Sequence, residues 1–340
     1  MSIEQLAETA QAMVAAGKGI IAIDESTATI AKRFQGVGVE NTEENRRAYR
    51  EMLLTTPRLG EHISGAILFD ETLRQSTKAG VPFTKVMMDN GIIPGIKVDK
   101  GTVPLAGFQG ELVTEGLDGL RARLEEYVEL GARFAKWRAV ITIGQDMPSP
   151  ACIHANAEVL ARYAAACQAA GIVPMIEPEV LLDGNHTAER SEEVHKATLQ
   201  ETYAAAARYG VSIEHLILKT SMVVSGKDNA RQAGVDEVAE RTVRVLKNVV
   251  PAKQPGIVFL SGGQSDEAAT AHLNAMAATR GLPWPLTFSY SRALQNPALK
   301  TWKGQAGNAA AAQKAFHHRA HMNALAAQGK WKSELERQAA

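Results

Sequence analysis

Eight short apolar runs, whose starts lie about 38 residues apart, set the strongest constraint on this chain. They are Gly19–Asp24, Gly65–Phe69, Ile93–Val98, Arg133–Val140, Val173–Glu177, His215–Lys219, Gly256–Ser261 and Leu286–Tyr290. Each is rich in Ile, Val, Leu or Phe and has the length of a buried strand. Helical periodicity fills most of the intervals. Leu117, Leu120, Leu124 and Val128 line one helix face, and Gly131 follows as a C-cap. Ser149-Pro150 offers an N-cap and first helical residue to a helix that Gly171 closes. Thr187 to Tyr209, Val235 to Val249 and Ser265 to Ala278 repeat the theme. Strand–helix alternation eight times over predicts an α/β fold closed as a TIM (β/α)8 barrel, with a doubly wound sheet as the competing arrangement. No internal repeat, low-complexity run or linker divides residues 1–340, so one domain is expected. It would carry an N-terminal helix at about 2–17, capped by Ser2 with Gln5 three places on, and a C-terminal helical tail at about 293–340.

Charge narrows the function. The 340 residues hold 37 basic and 37 acidic side chains and no basic block, which argues against nucleic acid or an anionic membrane as partner. No apolar stretch approaches the length of a membrane span. The two cysteines, Cys152 and Cys167, are too few for a disulfide scaffold and fit a reducing cytosol. The first residues lack the basic start of a secretory or transit peptide. A cytoplasmic globular protein is the expectation.

Charged residues fall at the ends of the runs. Asp24 ends the first, and Lys97 with Asp99 the third. Lys136 and Arg138 interrupt the fourth, Glu177 and Glu179 end the fifth, and Lys219 ends the sixth. Ser261-Gly262-Gly263 ends the seventh and Ser289-Tyr290-Ser291-Arg292 the eighth. In a barrel these ends converge on one mouth, the face where active sites sit. A lysine inside an apolar run needs a carboxylate or a ligand, and Asp24 and Glu177 are the candidate partners of Lys136. Several lysines in one dry mouth are expected to depress one another's pKa and free an amine for Schiff-base chemistry. Glu177-Pro178-Glu179 sets two carboxylates on one strand face for proton transfer, with structural ion pairing as the plainer reading. The glycines of Ser261-Gly262-Gly263 let backbone N–H groups approach an anion, and Arg292 adds a forked donor.

Other motifs carry less. Gly17-Lys18-Gly19-Ile20-Ile21-Ala22 matches a dinucleotide fingerprint in letters but precedes a strand instead of following one. His317, His318 and His321 have no strand-end histidines to complete a metal site, so no metal is expected. The Asn185-His186-Thr187 sequon is incidental in a cytosolic chain, and Cys152 and His154 do not face each other on a helix.

Read together, Gly19-Ile20-Ile21-Ala22-Ile23-Asp24-Glu25-Ser26, Asn41-Thr42-Glu43-Glu44-Asn45-Arg46-Arg47 and Gly95-Ile96-Lys97-Val98-Asp99-Lys100-Gly101 resemble the class I fructose-bisphosphate aldolases. So do Phe134-Ala135-Lys136-Trp137-Arg138, Ile176-Glu177-Pro178-Glu179, Leu218-Lys219, Phe259-Leu260-Ser261-Gly262-Gly263-Gln264-Ser265 and Phe288-Ser289-Tyr290. The resemblance covers roughly residues 10 to 330. It implies reversible aldol cleavage of fructose 1,6-bisphosphate in glycolysis and gluconeogenesis, through a covalent imine and without cofactor or metal. Lys219 matches the Schiff-base lysine, a choice over Lys97 and Lys136 that the residues alone leave open. Lys136 resembles the neighbouring lysine that holds intermediates, Glu177 the acid that expels water with Glu179 beside it, and Asp24 the base at the C4 hydroxyl. Ser261, Gly262 and Arg292 match one phosphate site, and Lys97 with Ser26 and Arg33 the other; Arg138 joins the substrate-binding set.

The departures are local. Ala28-Thr29 stands where animal enzymes have Gly-Ser, Thr220 replaces a proline, and Ser291 replaces a glycine whose N–H contacts phosphate. The sequence closes on Glu336-Arg337-Gln338-Ala339-Ala340 without the C-terminal tyrosine that assists proton exchange in animal enzymes, so another group or solvent is expected in that role. A homotetramer acting on a small sugar phosphate is the implied state. The alternatives are a transaldolase-like barrel enzyme with the same lysine-rich mouth and a non-catalytic scaffold on the same fold.

Overall fold

The computed structural model describes residues 3–337. Ten strands are present among these residues: β1 Gly19–Ile23, β2 Ile63–Leu68, β3 Ile93–Lys97, β4 Thr102–Pro104, β5 Leu112–Thr114, β6 Phe134–Ile141, β7 Val173–Val180, β8 Ile217–Thr220, β9 Ile257–Phe259 and β10 Leu286–Tyr290. Eight of them close a parallel barrel in the order β1-β10-β9-β8-β7-β6-β3-β2. These eight are the eight apolar runs. The barrel excludes the doubly wound alternative, because β1 pairs with β10 as well as with β2.

The helices follow their caps. Ser149 accepts from the Cys152 N–H at 3.1 Å and starts Pro150–Ala169, with Gly171 at φ 71° just past its end. Thr187 and Ser265 cap Ala188–Arg208 and Asp266–Ala277 in the same way, and Val235–Val249 matches its expected bounds. One start differs. Leu117 lies outside the helix Leu120–Glu129, because Gly119 takes a left-handed φ of 66° and resets the backbone there. The antiparallel pair β4–β5 was not anticipated; its short strands sit between β3 and Leu120–Glu129.

The N-terminal helix is shorter than expected, Ile3–Met13, and its expected cap Ser2 lies outside the described residues. Its apolar side packs Leu6, Ala10 and Met13, with the following Val14, into one cluster with Ile20, Ile67, Phe134, Val173, Met175, Ile217 and Val258. These side chains alternate with outward-facing neighbours along their strands and fill the lower barrel. Phe134 needs room there, since a Cβ on Gly95 would stand 2.1 Å from its ring. The C-terminal tail is built of Arg292–Trp302, Ala309–Ala326 and a short 3-10 turn Ser333–Arg337. Lys303 and Gly304, both in the left-handed region, break the first two apart. No helix among the described residues is long and apolar enough to cross a membrane.

Candidate active site

Above the apolar layers, the same inward-facing rows turn polar. Ile20 and Ala22 lead to Asp24, Ile93 and Gly95 to Lys97, and Phe134 to Lys136 and Arg138. Val173 and Met175 lead to Glu177 and Glu179, and Ile217 to Lys219. Together with Ser26, Arg33, Ser261, Gly262, Ser291 and Arg292 these charged residues border one cavity of about 560 Å³. All thirteen expected residues therefore share one mouth, at the C-terminal ends of the barrel strands.

The centre is a chain of alternating charges. Lys136 Nζ lies 2.7 Å from Asp24 Oδ2 and 3.2 Å from Glu177 Oε2, while Lys219 Nζ lies 3.2 Å from Glu177 Oε1. Lys136, Glu177 and Lys219 are buried, each 3–4% exposed. Burial raises the Asp24 carboxyl, but Lys136 and Lys219 outweigh it and hold Asp24 below the ordinary carboxylate range. Glu177 is lowered in the same way, against its burial, by Lys136, Lys219 and Arg138. Burial works to lower Lys136, yet Asp24 and Glu177 raise it above the usual lysine value. The expectation that neighbouring lysines depress one another therefore fails for Lys136. Each of its nearest charges is a carboxylate, and opposite charge at this range outweighs both burial and like charge. Lys136 is an ammonium, suited to hold an anionic or hydroxyl group. Glu177 Oε2 is buried and makes no hydrogen bond beyond this ion-pair contact with Lys136.

Around this chain sit two further cationic positions. Lys97 Nζ lies 2.9 Å from Asp99 Oδ1, and the Asp99 carboxylate also accepts from the N–H groups of Gly101 and Arg138. Arg138 pairs with Glu179. Asp99 thus holds the Lys97 side chain and the Arg138 backbone, a role the sequence did not assign to it. Ser26 caps the helix Thr27–Gln35, accepting from the Thr29 N–H, and its hydroxyl lies 3.1 Å from Thr29 Oγ1.

The remaining end is anion-seeking. Gly262 and Gly263 adopt φ of 59° and 96°, which opens the Ser261 turn as glycine allows. A Cβ on Gly263 would stand 3.3 Å from Arg292 Nη2, so the guanidinium lies against this turn as expected. Burial and then Arg33 lower the Arg292 pKa, and Glu179 and Asp183, neither in ion-pair contact, oppose them only in part.

Arg33 and Ser291 are drawn together. Glu25, buried beside Asp24, accepts from the Ser291 hydroxyl at 3.0 Å and from Gln295 Nε2 at 2.9 Å, and pairs with Arg33. Arg50 closes the same node from behind, 3.5 Å from Glu25 Oε2. Arg33 Nη2 also donates to Ser291 Oγ at 3.0 Å. The Ser291 hydroxyl is thus committed to this network. Arg33, grouped by sequence with Lys97 and Ser26, also reaches Ser291 across the same cavity. Glu25 and Gln295 stayed hidden because the contact between them and with Ser291 joins residues far apart along the chain.

The histidines lie elsewhere. His62 packs against His317 and His321 with ring centroids 5.0 and 4.7 Å apart, at the start of β2 and so on the barrel's opposite face. Among the described residues no group of three His, Cys, Asp or Glu side chains is arranged to hold a metal ion.

This geometry agrees with the relatives of the chain. The family model for fructose-bisphosphate aldolase class-I matches residues 5–340. A protein of Xanthomonas campestris pv. campestris named "Probable fructose-bisphosphate aldolase class 1" is 69% identical over 333 residues, covering 98% of this chain and all of the relative. Cytosolic fructose-bisphosphate aldolase 4 of Arabidopsis thaliana is 52% identical, covering 94% of this chain and 82% of its own. Among solved structures, the fructose-bisphosphate aldolase of Plasmodium falciparum superposes with a TM-score of 0.96 at 48% identity, covering 97% of this chain and 96% of its own. Fold, charged mouth and relatives converge, and the chain belongs to the class I fructose-bisphosphate aldolases.

Proposed function

We propose that this aldolase cleaves fructose 1,6-bisphosphate with Lys219 as the covalent lysine, and that the Glu177 carboxylate bridging Lys219 and Lys136 is the observation that carries the assignment. The Lys219 amine attacks the C2 carbonyl of the open-chain ketose and forms a carbinolamine. The Glu177 carboxylate, having taken the proton that the Lys219 ammonium gives up to become the attacking amine, delivers it to the carbinolamine oxygen; water leaves, and a protonated imine remains. Asp24 takes the proton of the C4 hydroxyl. The C3–C4 bond then breaks, its electron pair passes into the imine as an enamine, and glyceraldehyde 3-phosphate departs. Protonation at C3 and hydrolysis return dihydroxyacetone phosphate and free Lys219.

Lys136 holds the oxygen-rich intermediates against Asp24 and Glu177, with Glu179 and Arg138 flanking them. Ser261, Gly262, the Ser291 N–H and Arg292 bind one phosphate, and Lys97, Ser26 and Arg33 the second. The imine is the electron sink, so the reaction proceeds without a metal or cofactor. We place the enzyme in the cytoplasm, consistent with its two free, buried cysteines, and as a homotetramer on its resemblance to the family. A coupled assay of triose phosphate release tests the function: the parent should cleave, and Lys219→Arg, which retains charge without a usable amine, should not.

A further inference from the structure

The seam between β7 and β8 carries both partners of the Lys219–Glu177 pair, yet its backbone register comprises only Met175↔Ile217 and Ile176↔Leu218. Successive N–H groups of a strand point to opposite neighbours. Leu181 N–H turns to β6 and meets Ile141 O at 2.9 Å. Val180 N–H therefore turns toward β8, as would that of residue 178. Residue 178 is proline and has none. The seam loses a backbone donor at the level of the reacting side chains.

A side chain closes it instead. Val180 N–H donates to Ser221 Oγ at 3.1 Å. Ser221 Oγ in turn lies 2.9 Å from His195 Nε2, and His195 Nδ1 lies 2.7 Å from Ser191 O. A carbonyl only accepts, so Nδ1 carries the imidazole proton, Nε2 accepts, and the Ser221 hydroxyl donates. Both residues are buried, His195 3% and Ser221 6% exposed. Burial pushes the imidazole down to about 4, which keeps this direction of donation at neutral pH. The run of hydrogen bonds ties the helix Ala188–Arg208 to the upper ends of β7 and β8, one residue past Glu179 and two past Lys219.

We propose that Ser221, oriented by His195, is a positioning residue for imine formation: it holds the top of the β7–β8 seam and so fixes the spacing of Lys219 Nζ from Glu177 Oε1. The proposal rests on the reading of Lys219 as nucleophile. Dehydration of the carbinolamine moves a proton from a β7 side chain to an adduct on β8, so it is the step that spans this seam. The phosphate contacts of Arg292 and Lys97 come from β10 and β3 ends and do not. Loosening the seam should therefore slow imine formation while sparing substrate affinity.

The test is single-turnover imine formation with dihydroxyacetone phosphate, trapped by borohydride, alongside steady-state kcat and KM. Ser221→Ala should form its adduct about 10- to 100-fold more slowly, with KM within about threefold of the parent, as expected of roughly 1 Å misplacement. Ser221→Thr, which restores the hydroxyl, should return to within about threefold of the parent rate. A Ser221→Ala rate within about twofold of the parent overturns the proposal, as does a Thr variant as slow as Ala or a loss confined to KM. Should circular dichroism show Ser221→Ala unfolded, His195→Leu is read in the same way: slowing of about tenfold supports the proposal and an unchanged rate overturns it. An adduct on another lysine of the parent overturns the Lys219 reading and this proposal with it. An adduct on Lys219 with unchanged variant rates overturns the proposal alone.

Discussion

Lys219 and Glu177 meet at 3.2 Å across neighbouring strands, one residue above the last backbone pair that joins them, Ile176↔Leu218. The second oxygen of the same carboxylate lies equally far from Lys136, which also reaches Asp24. Two cations and two carboxylates, their side chains largely buried, therefore compensate one another, and each depends on the others.

The first prediction removes the central cation. Lys136→Met leaves Asp24 and Glu177 buried without their shared ammonium, and breaking a buried pair in this way costs about 3–5 kcal/mol. Urea unfolding should show a lower midpoint with an unchanged slope, together with loss of cleavage. A variant as stable as the parent would mean that the carboxylates are compensated elsewhere.

The second concerns pH. Asp24 is depressed in the folded state, so its contribution to stability is present above the unfolded carboxyl pKa of about 4 and is lost as pH falls through the lower folded value. Lys136 is raised, so its contribution is present below about pH 10 and is lost as pH climbs through the higher folded value. Asp24→Asn should be less stable than the parent at neutral pH, and the gap should narrow as pH drops below about 4. Urea midpoints at several pH values read this directly. A gap that widens in acid would contradict the sign.

Much of this site is legible along the chain. Lys97, Lys136, Glu177 and Lys219 stand out because each interrupts or ends an apolar run, and a barrel gathers run ends at one mouth. The cap at Ser149 is equally local and holds, and the helical stretches expected from Thr187 and Ser265 begin with those residues as their caps. What the sequence conceals is pairing at long range. Glu25 reads as one more polar residue after a strand until the barrel closes and sets it beside Ser291 and Gln295. His195 reads as a residue within a helix, and only the packing of that helix against the barrel brings it to Ser221. The β4–β5 pair is missed because three-residue strands are too short to show a period.

A third prediction addresses Arg292, which lies against Gly263 without a carboxylate partner. A charged hydrogen bond to phosphate contributes roughly 1.5–3 kcal/mol, so Arg292→Ala should lose about 10- to 150-fold in kcat/KM, mainly through KM. If Arg292 grips the C1 phosphate, fructose 1-phosphate should suffer nearly the same loss. Near-normal cleavage of fructose 1-phosphate would move Arg292 to the C6 phosphate, and no effect on either substrate would remove it from the site.

The fourth follows from the imine as electron sink. Dialysis against EDTA should leave kcat unchanged. Inactivation by the chelator with recovery on adding zinc would contradict the imine mechanism.

The central claim is that Lys219 forms the covalent bond to substrate. Mass spectrometry of the enzyme reduced with borohydride in the presence of dihydroxyacetone phosphate locates that bond. One adduct is expected, on the peptide that carries Lys219, and none in Lys219→Arg. A principal adduct on Lys136 or Lys97, or full cleavage activity with no adduct at all, would contradict it.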